Sequence, residues 1–376
     1  MFWSRILTTH NILYSISVKY SKGVNMKKLV LTGGGTAGHI YPALALVPDL
    51  KDFNISYIGS NSIEKEILKN YTDIKFYEIP SVKLQRKLTF KNLLIPFKLF
   101  KAIKKAKEIL KEIKPDAIFS KGGYVSLPVV YAGKKLGIPI VSHESDLSMG
   151  LANKLILKKC NTMCTSFPST MKENPKCVYT GQPIRGEVLS GNGSIVKEMF
   201  PSQKPILLII GGSQGAKFIN EVIWANIDNL TKDFNILHCC GKGNLNKKIK
   251  NPAYKQFEYV SNIGDFYAGS SIAISRAGCG VISELKANKI PSLLIPLSKS
   301  CSRGDQIENA KLFCEYGYCE MLEEEDYSKN RFLSLLKSVQ NNREKYINNI
   351  EKDKSPLANK KIVEIIKKNI LANKSI

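Results

Sequence analysis

The sequence predicts two α/β domains, each built on a doubly wound parallel sheet, that face each other across a cleft. Short apolar runs alternate with segments of helical spacing through most of the chain, which is typical of parallel strands covered by helices on both faces. The same alternation starts again near residue 204. In both halves the apolar runs end in glycine-rich turns, and open α/β sheets bind ligands beyond the carboxyl ends of their strands. We therefore expect one ligand site between two domains.

Length and composition agree with two folded domains. The chain has 376 residues, more than the about 150 residues of an ordinary domain. Its residues are 43% hydrophobic and 23% charged, and no apolar run approaches the roughly 18 residues that a membrane-spanning helix needs. The nine cysteines are scattered without the CxxC spacing of zinc sites, so we expect a reduced, cytoplasmic protein.

The chain is strongly basic. Lys and Arg number 56 against 32 Asp and Glu, a formal net charge of +24, which favours an anionic partner such as nucleic acid, acidic lipid or a phosphorylated substrate. A nucleic-acid-binding protein is the rival from a different class. However, the basic residues stand beside apolar residues rather than along a groove with aromatic side chains. We therefore predict no nucleic-acid partner.

The first half begins with a segment that the fold does not need. Residues 1–25 precede Met26, which stands directly before the first apolar run. We interpret this leader as a wrongly assigned or dispensable start, with a targeting or membrane-lying segment as the alternative. Residues 26–185 then form the first predicted domain. Its strands are predicted in the runs KLVLTG, ISYIGS, DAIFSKGG and IPIVSHES.

The second half repeats this organisation in residues 186–352, with Gly, Ser and Pro clustered near the junction at residues 183–202. Its strands are predicted in the runs KPILLII, FNILHCC, FEYVS, SIAIS and PSLLIPLS. Residues 353–376 are predicted to contain a terminal helix, because Ser355 and Pro356 suit the N-cap and the first helical position. The periodicity leaves open whether this helix packs on the second domain or returns to the first.

The first glycine turn, in residues 29–46, reads LVLTGGGTAGHIYPALAL. Its glycines match the GxGxxG pattern of dinucleotide-binding enzymes. That pattern also needs an acidic residue about 20 positions later, at the end of the second strand, where this chain has Gly59 and Ser60. Neither glycine turn continues into the Gly-Lys-Ser or Gly-Lys-Thr of a P-loop. We predict phosphate-binding turns that use no nicotinamide and no other cofactor.

Polar residues at the predicted strand ends are candidates for chemistry. His39 follows the first glycine turn, where it either acts as a general base near neutral pH or only hydrogen-bonds the turn. Gly122 and Gly123 form either a second anion-binding turn or a plain turn. Glu144 and Asp146 end another strand; glycoside hydrolases also use paired carboxylates, but that chemistry depends on separations that no sequence gives.

The second domain offers a further glycine turn in SRAGCGVISEL. This segment opens a helix after a strand, so the amides of residues 278–280 can meet a diphosphate, and Glu284 can accept hydrogen bonds from a ribose. The alternative for Glu284 is an acid that only favours the helix N-terminus. Asp305, Gln306 and Asn309 share one helical face in SRGDQIENA, although an ordinary surface helix can carry the same residues.

Taken in order, these motifs resemble glycosyltransferase family 28, the N-acetylglucosaminyltransferases of peptidoglycan synthesis. The resemblance runs from about Met26 to the C-terminus and rests on TGGGTAGHIYPALA, SKGGYVSLP, IVSHESDLSMGLANK, TGQPIR, GGSQGAKFIN, SRAGCGVISEL and SRGDQIENA. It implies a GT-B fold of two Rossmann-like domains with the active site between them. It also implies inverting transfer of N-acetylglucosamine from UDP-N-acetylglucosamine to the muramyl 4-hydroxyl of undecaprenyl-diphosphate-linked MurNAc-pentapeptide (lipid I), giving lipid II. Another UDP-sugar GT-B glycosyltransferase or an epimerase is the alternative.

The resemblance also implies roles for individual residues. His39 matches the proposed base, and Glu144 is the second catalytic candidate. The positions expected to bind UDP-N-acetylglucosamine are Thr36, Ala37, Gly38, Asp146, Arg185, Ser213, Val260, Cys279, Gly280, Val281, Ile282, Ser283, Glu284 and Gln306. The positions expected at the acceptor diphosphate are Gly34, Gly35, Gly122, Gly123 and Tyr124. Two departures stand out, since Ala37 replaces a glycine common in the family and Asp146 replaces an asparagine that many members carry.

Two expectations concern metals and membranes. No Asp-x-Asp metal clamp occurs in a suitable place, so we predict no obligatory metal. Residues 81–114 interleave leucine, isoleucine and phenylalanine with many lysines, a pattern that binds anionic membranes; a core helix with a solvated basic face is the alternative. Because the implied acceptor is carried by a lipid, we expect a peripheral protein on the cytoplasmic face of the cell membrane.

Overall fold

Two parallel sheets organise the chain. The computed structural model describes residues 26–81, 95–171, 174–212, 214–353, 355 and 358–374, so the leader predicted at residues 1–25 lies outside the described residues. The first sheet has the spatial strand order β3-β2-β1-β4-β5-β6-β7, with every neighbouring pair parallel. Its strands are β1 Lys27–Thr32, β2 Phe53–Gly59, β3 Lys75–Glu78, β4 Ala117–Ser120, β5 Ile140–Glu144, β6 Thr162–Thr165 and β7 Cys177–Tyr179.

Helices cover both faces of the first sheet. They are α1 Ala37–Leu44, α2 Ile63–Leu68, α3 Ile95–Ile113, α4 Ser126–Lys135 and α5 Leu151–Leu157. One buried cluster joins β1 and α1, and a second joins β4, α3 and α4 on the other face. The central strands β1, β4 and β5 are buried on both sides, so they read as continuous apolar runs rather than as alternating patterns.

The second sheet follows the same plan. Its spatial order is β10-β9-β8-β11-β12-β13, again with every neighbouring pair parallel. The strands are β8 Ile206–Ile210, β9 Asn235–Cys239, β10 Tyr254–Phe257, β11 Ile272–Ser275, β12 Ser292–Leu294 and β13 Cys319–Met321. The helices are α6 Gly186–Leu189, α7 Ser194–Glu198, α8 Lys217–Ala225, α9 Ile227–Asp233, α10 Ile263–Gly269, α11 Cys279–Ala287, α12 Asp305–Glu315, α13 Lys329–Asn341 and α14 Arg343–Lys352.

The terminal helix α15, Ala358–Lys374, packs on the first sheet. Its buried Ile362 and Ile366 belong to the same apolar cluster as Leu29 and Leu31 of β1. The Asn359 amide donates to the carbonyls of Ala45 and Ile184, at 2.9 Å each. The chain thus crosses back from the second sheet and ends against the first.

The predicted fold class of two doubly wound parallel sheets is confirmed. The central strands of both sheets coincide with the quoted apolar runs. The strand predicted in FEYVS, residues 257–261, is wrong in its bounds, because β10 pairs with β9 over Tyr254–Phe257 and shares only Phe257 with that run. The strands β3, β6, β7 and β13 were not among the predicted strands. Within the part of the chain that the structure describes, no helix combines the length and apolarity needed to cross a bilayer.

Candidate active site

The first glycine turn joins β1 to α1 at the carboxyl edge of the first sheet. Gly33 and Gly34 are buried, whereas Gly35 is exposed and has a φ of +88°, a left-handed conformation that favours glycine. The Gly35 amide donates to Glu64 Oε1 at 3.1 Å. Glu64 is fully buried, so a protein carboxylate already accepts one hydrogen bond from this predicted phosphate-binding turn.

The second glycine turn follows β4 and contacts the first. Gly122 and Gly123 have φ values of +85° and +82°. A Cβ on Gly123 would lie 2.8 Å from the Gly34 carbonyl oxygen and 3.7 Å from His39 Nδ1, so the close approach of the two turns requires glycine here. Tyr124 follows and is partly exposed. The predicted acceptor-diphosphate residues are therefore neighbours in space.

His39 lies in the first turn of α1, between these two glycine turns. Its Nδ1 is 3.0 Å from Thr36 Oγ1. Burial, followed by the positive charges of Lys121 and Arg303, lowers the pKa of His39 to about 4, although part of the residue remains exposed. The imidazole is therefore neutral at pH 7 and has a lone pair available for a proton.

A loop that we call the carboxylate loop, residues 144–150, follows β5. Glu144 is buried and accepts three hydrogen bonds at 3.0 Å, from the amides of Asp146 and Gly150 and from the Asn153 side chain. All three donors belong to the loop itself or to α5. The Glu144 carboxylate therefore determines the shape of this loop.

Asp146 connects the carboxylate loop to the second domain. Asn309 Nδ2 donates to Asp146 Oδ1 at 3.3 Å, and Arg303 Nη2 lies 3.4 Å from Oδ2. The Leu147 amide also donates to Asn309 Oδ1, at 3.2 Å. Burial and the nearby carboxylates of Glu144 and Asp305 raise the pKa of Asp146 to about 6. Asp146, which is predicted to contact the donor sugar, thus already contacts Asn309 and Arg303 of the second domain.

In the second domain, α11 begins at Cys279, directly after the turn that follows β11. A Cβ on Gly280 would meet no atom within 4 Å, so the start of this helix faces open space. Cys279 itself is buried, and Gln306 Oε1 accepts from the Leu297 amide at 3.0 Å. Val281 and Ser283 are partly exposed, and Ile282 belongs to the second domain's core.

Glu284 and Arg185 lie near each other at the junction of the domains. Tyr267 donates to Glu284 Oε2 at 2.8 Å. Burial raises the pKa of Glu284, against the opposing effects of this hydrogen bond and of the Arg185 charge. The Arg185 guanidinium stacks over the Tyr41 ring at 4.5 Å and pairs with Glu187 at 2.6 Å.

Four other predicted donor residues lie beside the second domain's core, at the start of α1 or outside the described residues. Val260 is partly exposed and packs against the second domain's core. Ser213 lies outside the described residues. Ala37 and Gly38 open α1, with a partly exposed and an exposed surface respectively, so the replacement of a family glycine by Ala37 falls on a helical position that alanine tolerates.

Sequence reasoning missed three charged residues of this site. Lys121 is buried beside the second glycine turn, Glu64 lies under the first, and Arg303 reaches across from the second domain. Lys121 and Arg303 stood inside quoted motifs, and their charge among glycines was the available signal. Glu64 stands in an ordinary helical pattern, which gives no indication of a role in the site.

A crevice of about 1110 Å³ lies between the domains, beside the junction and the start of α15. Ser283 is the member of the predicted site that lines it, together with Gln182, Lys286 and Tyr318. The glycine turns after β1 and β4 lie elsewhere, so this crevice is not the predicted catalytic centre. Within the described ranges, no group of three or more His, Cys, Asp or Glu side chains is arranged to hold a metal ion.

Family models match both halves of the chain. The "Glycosyltransferase family 28 N-terminal domain" matches residues 29–165. The "Glycosyltransferase family 28 C-terminal domain" matches residues 206–368. The two matches cover most of both sheets and extend into α15.

Two relatives from clostridia carry the name "UDP-N-acetylglucosamine--N-acetylmuramyl-(pentapeptide) pyrophosphoryl-undecaprenol N-acetylglucosamine transferase". The one from Clostridium botulinum (strain Kyoto / Type A2) is 48% identical over 352 residues, which cover 91% of this chain and 99% of the relative. The one from Clostridium tetani (strain Massachusetts / E88) is 47% identical over 351 residues, which cover 91% and 98%. A solved structure, described as the crystal structure of Acinetobacter baumannii MurG, matches with a TM-score of 0.73 at 26% identity and covers 91% of this chain and 99% of that chain.

Proposed function

Because the chain belongs to glycosyltransferase family 28, we propose that it transfers N-acetylglucosamine from UDP-N-acetylglucosamine to lipid I, giving lipid II. It is an N-acetylglucosaminyltransferase, like the relatives that carry this activity in their name. The reaction inverts the anomeric carbon and proceeds without a covalent sugar-enzyme intermediate. Such a transfer needs in-line attack by the muramyl hydroxyl, a base for its proton, and stabilisation of the departing UDP.

One observation carries the catalytic assignment. His39 lies between two contacting glycine turns at the carboxyl edge of the first sheet, and its imidazole is neutral at pH 7. In this proposal the muramyl 4-hydroxyl gives its proton to His39 while the hydroxyl oxygen attacks the anomeric carbon. The amides of Gly34, Gly123 and Tyr124 face the acceptor diphosphate. The Gly35 amide joins them only if the diphosphate displaces Glu64 from it.

The second domain supplies the donor side. The open N-terminus of α11 and the charge of Arg185 stabilise the departing diphosphate, because both are positive and are in place before the reaction. Glu284 binds the ribose, while Val260 and Gln306 contact the uracil and the sugar. Glu144 acts by shaping the carboxylate loop and not by taking the proton, since its oxygens already accept three hydrogen bonds.

Replacing His39 tests the base. We expect His39→Ala to reduce kcat by roughly 10²-fold to 10⁴-fold, the usual contribution of a general base, while UDP binds with unchanged affinity. Turnover is measured with UDP-N-acetylglucosamine and a soluble lipid I analogue, and UDP binding by calorimetry. His39→Gln is the matched control, because an amide can still bond Thr36 but cannot take a proton near neutral pH.

The results of these assays distinguish the proposed transfer reaction from its alternatives. Native turnover in His39→Gln would contradict the base and leave His39 a hydrogen-bonding role in the turn. Consumption of the donor by the native protein without any acceptor would favour an epimerase instead. Sugar transfer only to an acceptor without the muramyl peptide would favour another UDP-sugar glycosyltransferase.

We further propose that the first domain contacts the cytoplasmic face of the cell membrane through α3. Phe97 and Phe100 are 72% and 66% exposed, and the exposed Lys98 and Lys101 stand beside them. Aromatic side chains flanked by cations bind anionic lipid surfaces. The other face of α3 is buried, at Ala102, Ala106 and Ile109 among others. Residues 82–94 of the predicted membrane segment lie outside the described residues.

Vesicle binding tests this surface. Replacing Lys98 and Lys101 with glutamate is expected to weaken binding to anionic phospholipid vesicles, since each lysine near the surface contributes about 1 kcal/mol. Lys247→Glu with Lys248→Glu makes the same change of charge on exposed residues of the second domain and serves as the control. Equal binding by both double variants would contradict contact through α3.

A further inference from the structure

Lys121 is a buried lysine that the proposed reaction does not use. The residue is 1% exposed and follows β4, where its amide donates to the Thr32 carbonyl at 2.8 Å. Its side chain runs past the first glycine turn, since a Cβ on Gly33 would lie 3.0 Å from Lys121 Cβ. Lysine is almost never fully buried unless its charge is balanced. A specific role in the site would explain why Lys121 is buried.

The Lys121 ammonium bonds the carboxylate loop. Nζ donates to Ser145 Oγ, and Ser145 Oγ donates to Gln182 Oε1 at 3.1 Å. Gln182 belongs to the segment that leads into the second domain. Among the described residues, no carboxylate oxygen lies within the 4.0 Å of a direct ion pair with Nζ. Lys121 therefore acts on the nearby carboxylates through the electrostatic field of its ammonium group and through its hydrogen bond to Ser145.

The charges around Lys121 partly offset the effect of its burial. Burial lowers the pKa of the Lys121 ammonium, whereas the carboxylates of Glu144 and Asp146 oppose that effect. Glu144 in turn disfavours the charged form of Asp146, because like charges repel. A cation beside them relieves this repulsion. Asp146 also has Arg303 on its other side, so cations flank the loop on both sides.

We propose that Lys121 is a positioning residue for the transfer reaction: its buried ammonium is the counter-charge that holds the carboxylate loop against the second domain. The contact that it maintains is that of Asp146 and Leu147 with Arg303 and Asn309. This contact fixes how the half of the site around His39 faces the half around α11. Lys121 thereby compensates the charge of Asp146.

A double-variant comparison tests the proposal. Lys121→Met keeps the length of the side chain and removes the charge, and we expect it to lower kcat/KM by roughly tenfold or more. Adding Asp146→Asn removes one of the two carboxylates, so we expect the double variant to recover roughly tenfold over Lys121→Met, within the range of coupling between contacting charges. Lys204→Met is the matched control, because the Lys204 ammonium donates to the Thr231 carbonyl at 2.7 Å and Lys204 precedes β8, at the edge of the second sheet opposite to its glycine turns.

The pH dependence gives a readout that a packing defect would not change. Removing a cation raises the pKa of every acid and base in its field, so the acid limb of kcat for Lys121→Met is expected to move to higher pH. A simple loss of packing would lower kcat equally at all pH values. The titratable or charged groups that face this region from the surrounding elements are His39 on α1, His143 and Glu144 on β5, Asp146 in the carboxylate loop, Cys164 on β6, Cys279 on α11 and Arg303 before α12.

Each outcome decides the matter. Recovery by the second substitution together with the shifted acid limb supports the proposal, whereas multiplicative losses or an unmoved limb overturn it. If Lys121→Met does not fold, the double variant must regain a cooperative unfolding transition, and its failure to do so also overturns the proposal. The inference rests on the proposed function only for its kinetic readout. A native protein without transferase activity would refute that function, while the unfolding comparison would still test Lys121.

Discussion

At the scale of single residues, burial favours the neutral form of two groups in this site, the imidazole of His39 and the carboxyl of Asp146. It lowers the pKa of His39 to about 4 and raises the pKa of Asp146 to about 6. Between these two values the imidazole is already neutral and the carboxyl is still largely protonated. Charged neighbours contribute to both shifts, with Lys121 and Arg303 acting on His39, and Glu144 and Asp305 acting on Asp146.

The shifted pKa of Asp146 makes the free energy of unfolding depend on pH. The folded state holds this proton more tightly than the unfolded chain does, so the contribution to stability is full below pH 4 and is lost as the pH rises through 6. We expect Asp146→Asn to raise the free energy of unfolding at pH 7.5 by up to about 3 kcal/mol, and to change it little at pH 4. Chemical denaturation at the two pH values measures the difference.

The exposed Asp233, at the end of α9, provides the control for this prediction. Asp233→Asn is expected to change the free energy of unfolding by less than about 0.5 kcal/mol at either pH. Equal effects of Asp146→Asn at pH 4 and pH 7.5 would show that its carboxyl is not perturbed by burial.

The sequence identified some of these residues and not others, for a physical reason. Glu144 ends a predicted strand, Asp146 lies just beyond it, and His39 follows the glycine turn after another strand. The carboxyl ends of parallel strands meet at one edge of a sheet. Glu64 reaches the same edge from the first turn of α2. Its importance comes from a contact between distant segments, which local patterns do not encode.

At the scale of elements, the first glycine turn is shaped around a buried carboxylate. Glu64 Oε1 accepts hydrogen bonds from the Gly35 amide and from Ser60 Oγ, both at 3.1 Å. A Cβ on Gly34 would overlap this oxygen. The Gly35 amide therefore already has a carboxylate partner, and a diphosphate that uses this amide has to replace Glu64.

The substitutions Gly34→Ala and Gly38→Ala should have opposite effects on the free energy of unfolding. Gly34→Ala forces its methyl group into Glu64 and is expected to lower the free energy of unfolding by about 1 to 3 kcal/mol. Gly38→Ala lies in α1, where a Cβ would meet only Thr36 Oγ1 at 3.7 Å, and is expected to raise it by up to about 1 kcal/mol. Thermal unfolding of both variants measures this, and equal destabilisation would contradict the role of Glu64.

The strands that could be predicted from the sequence differ in burial and length from those that could not. β1, β8 and their central neighbours are buried on both faces, so they appear as runs of consecutive apolar residues. The edge strand β3 has partly exposed side chains, and β7 and β13 are three residues long. Short or exposed strands carry too few apolar residues to stand out from loops.

At the scale of the whole molecule, the cleft depends on contacts that join the two sheets. Asn309 binds the carboxylate loop, Arg185 stacks on Tyr41, and α15 returns to β1. The sequence predicted two such domains from repeated local patterns. It left the destination of α15 open, because a helix with an apolar face fits either sheet equally well, and only the shape of the surface that it covers decides between them.

The return of α15 to β1 has a consequence for how the protein is made. The apolar cluster of the first domain is completed by Ile362, Val363, Ile366 and Ile370, which leave the ribosome after all the strands of the second domain. During translation the second domain can finish folding on its own residues, whereas the first must wait with part of its core uncovered. The half of the enzyme that is synthesised first is therefore the half that is completed last.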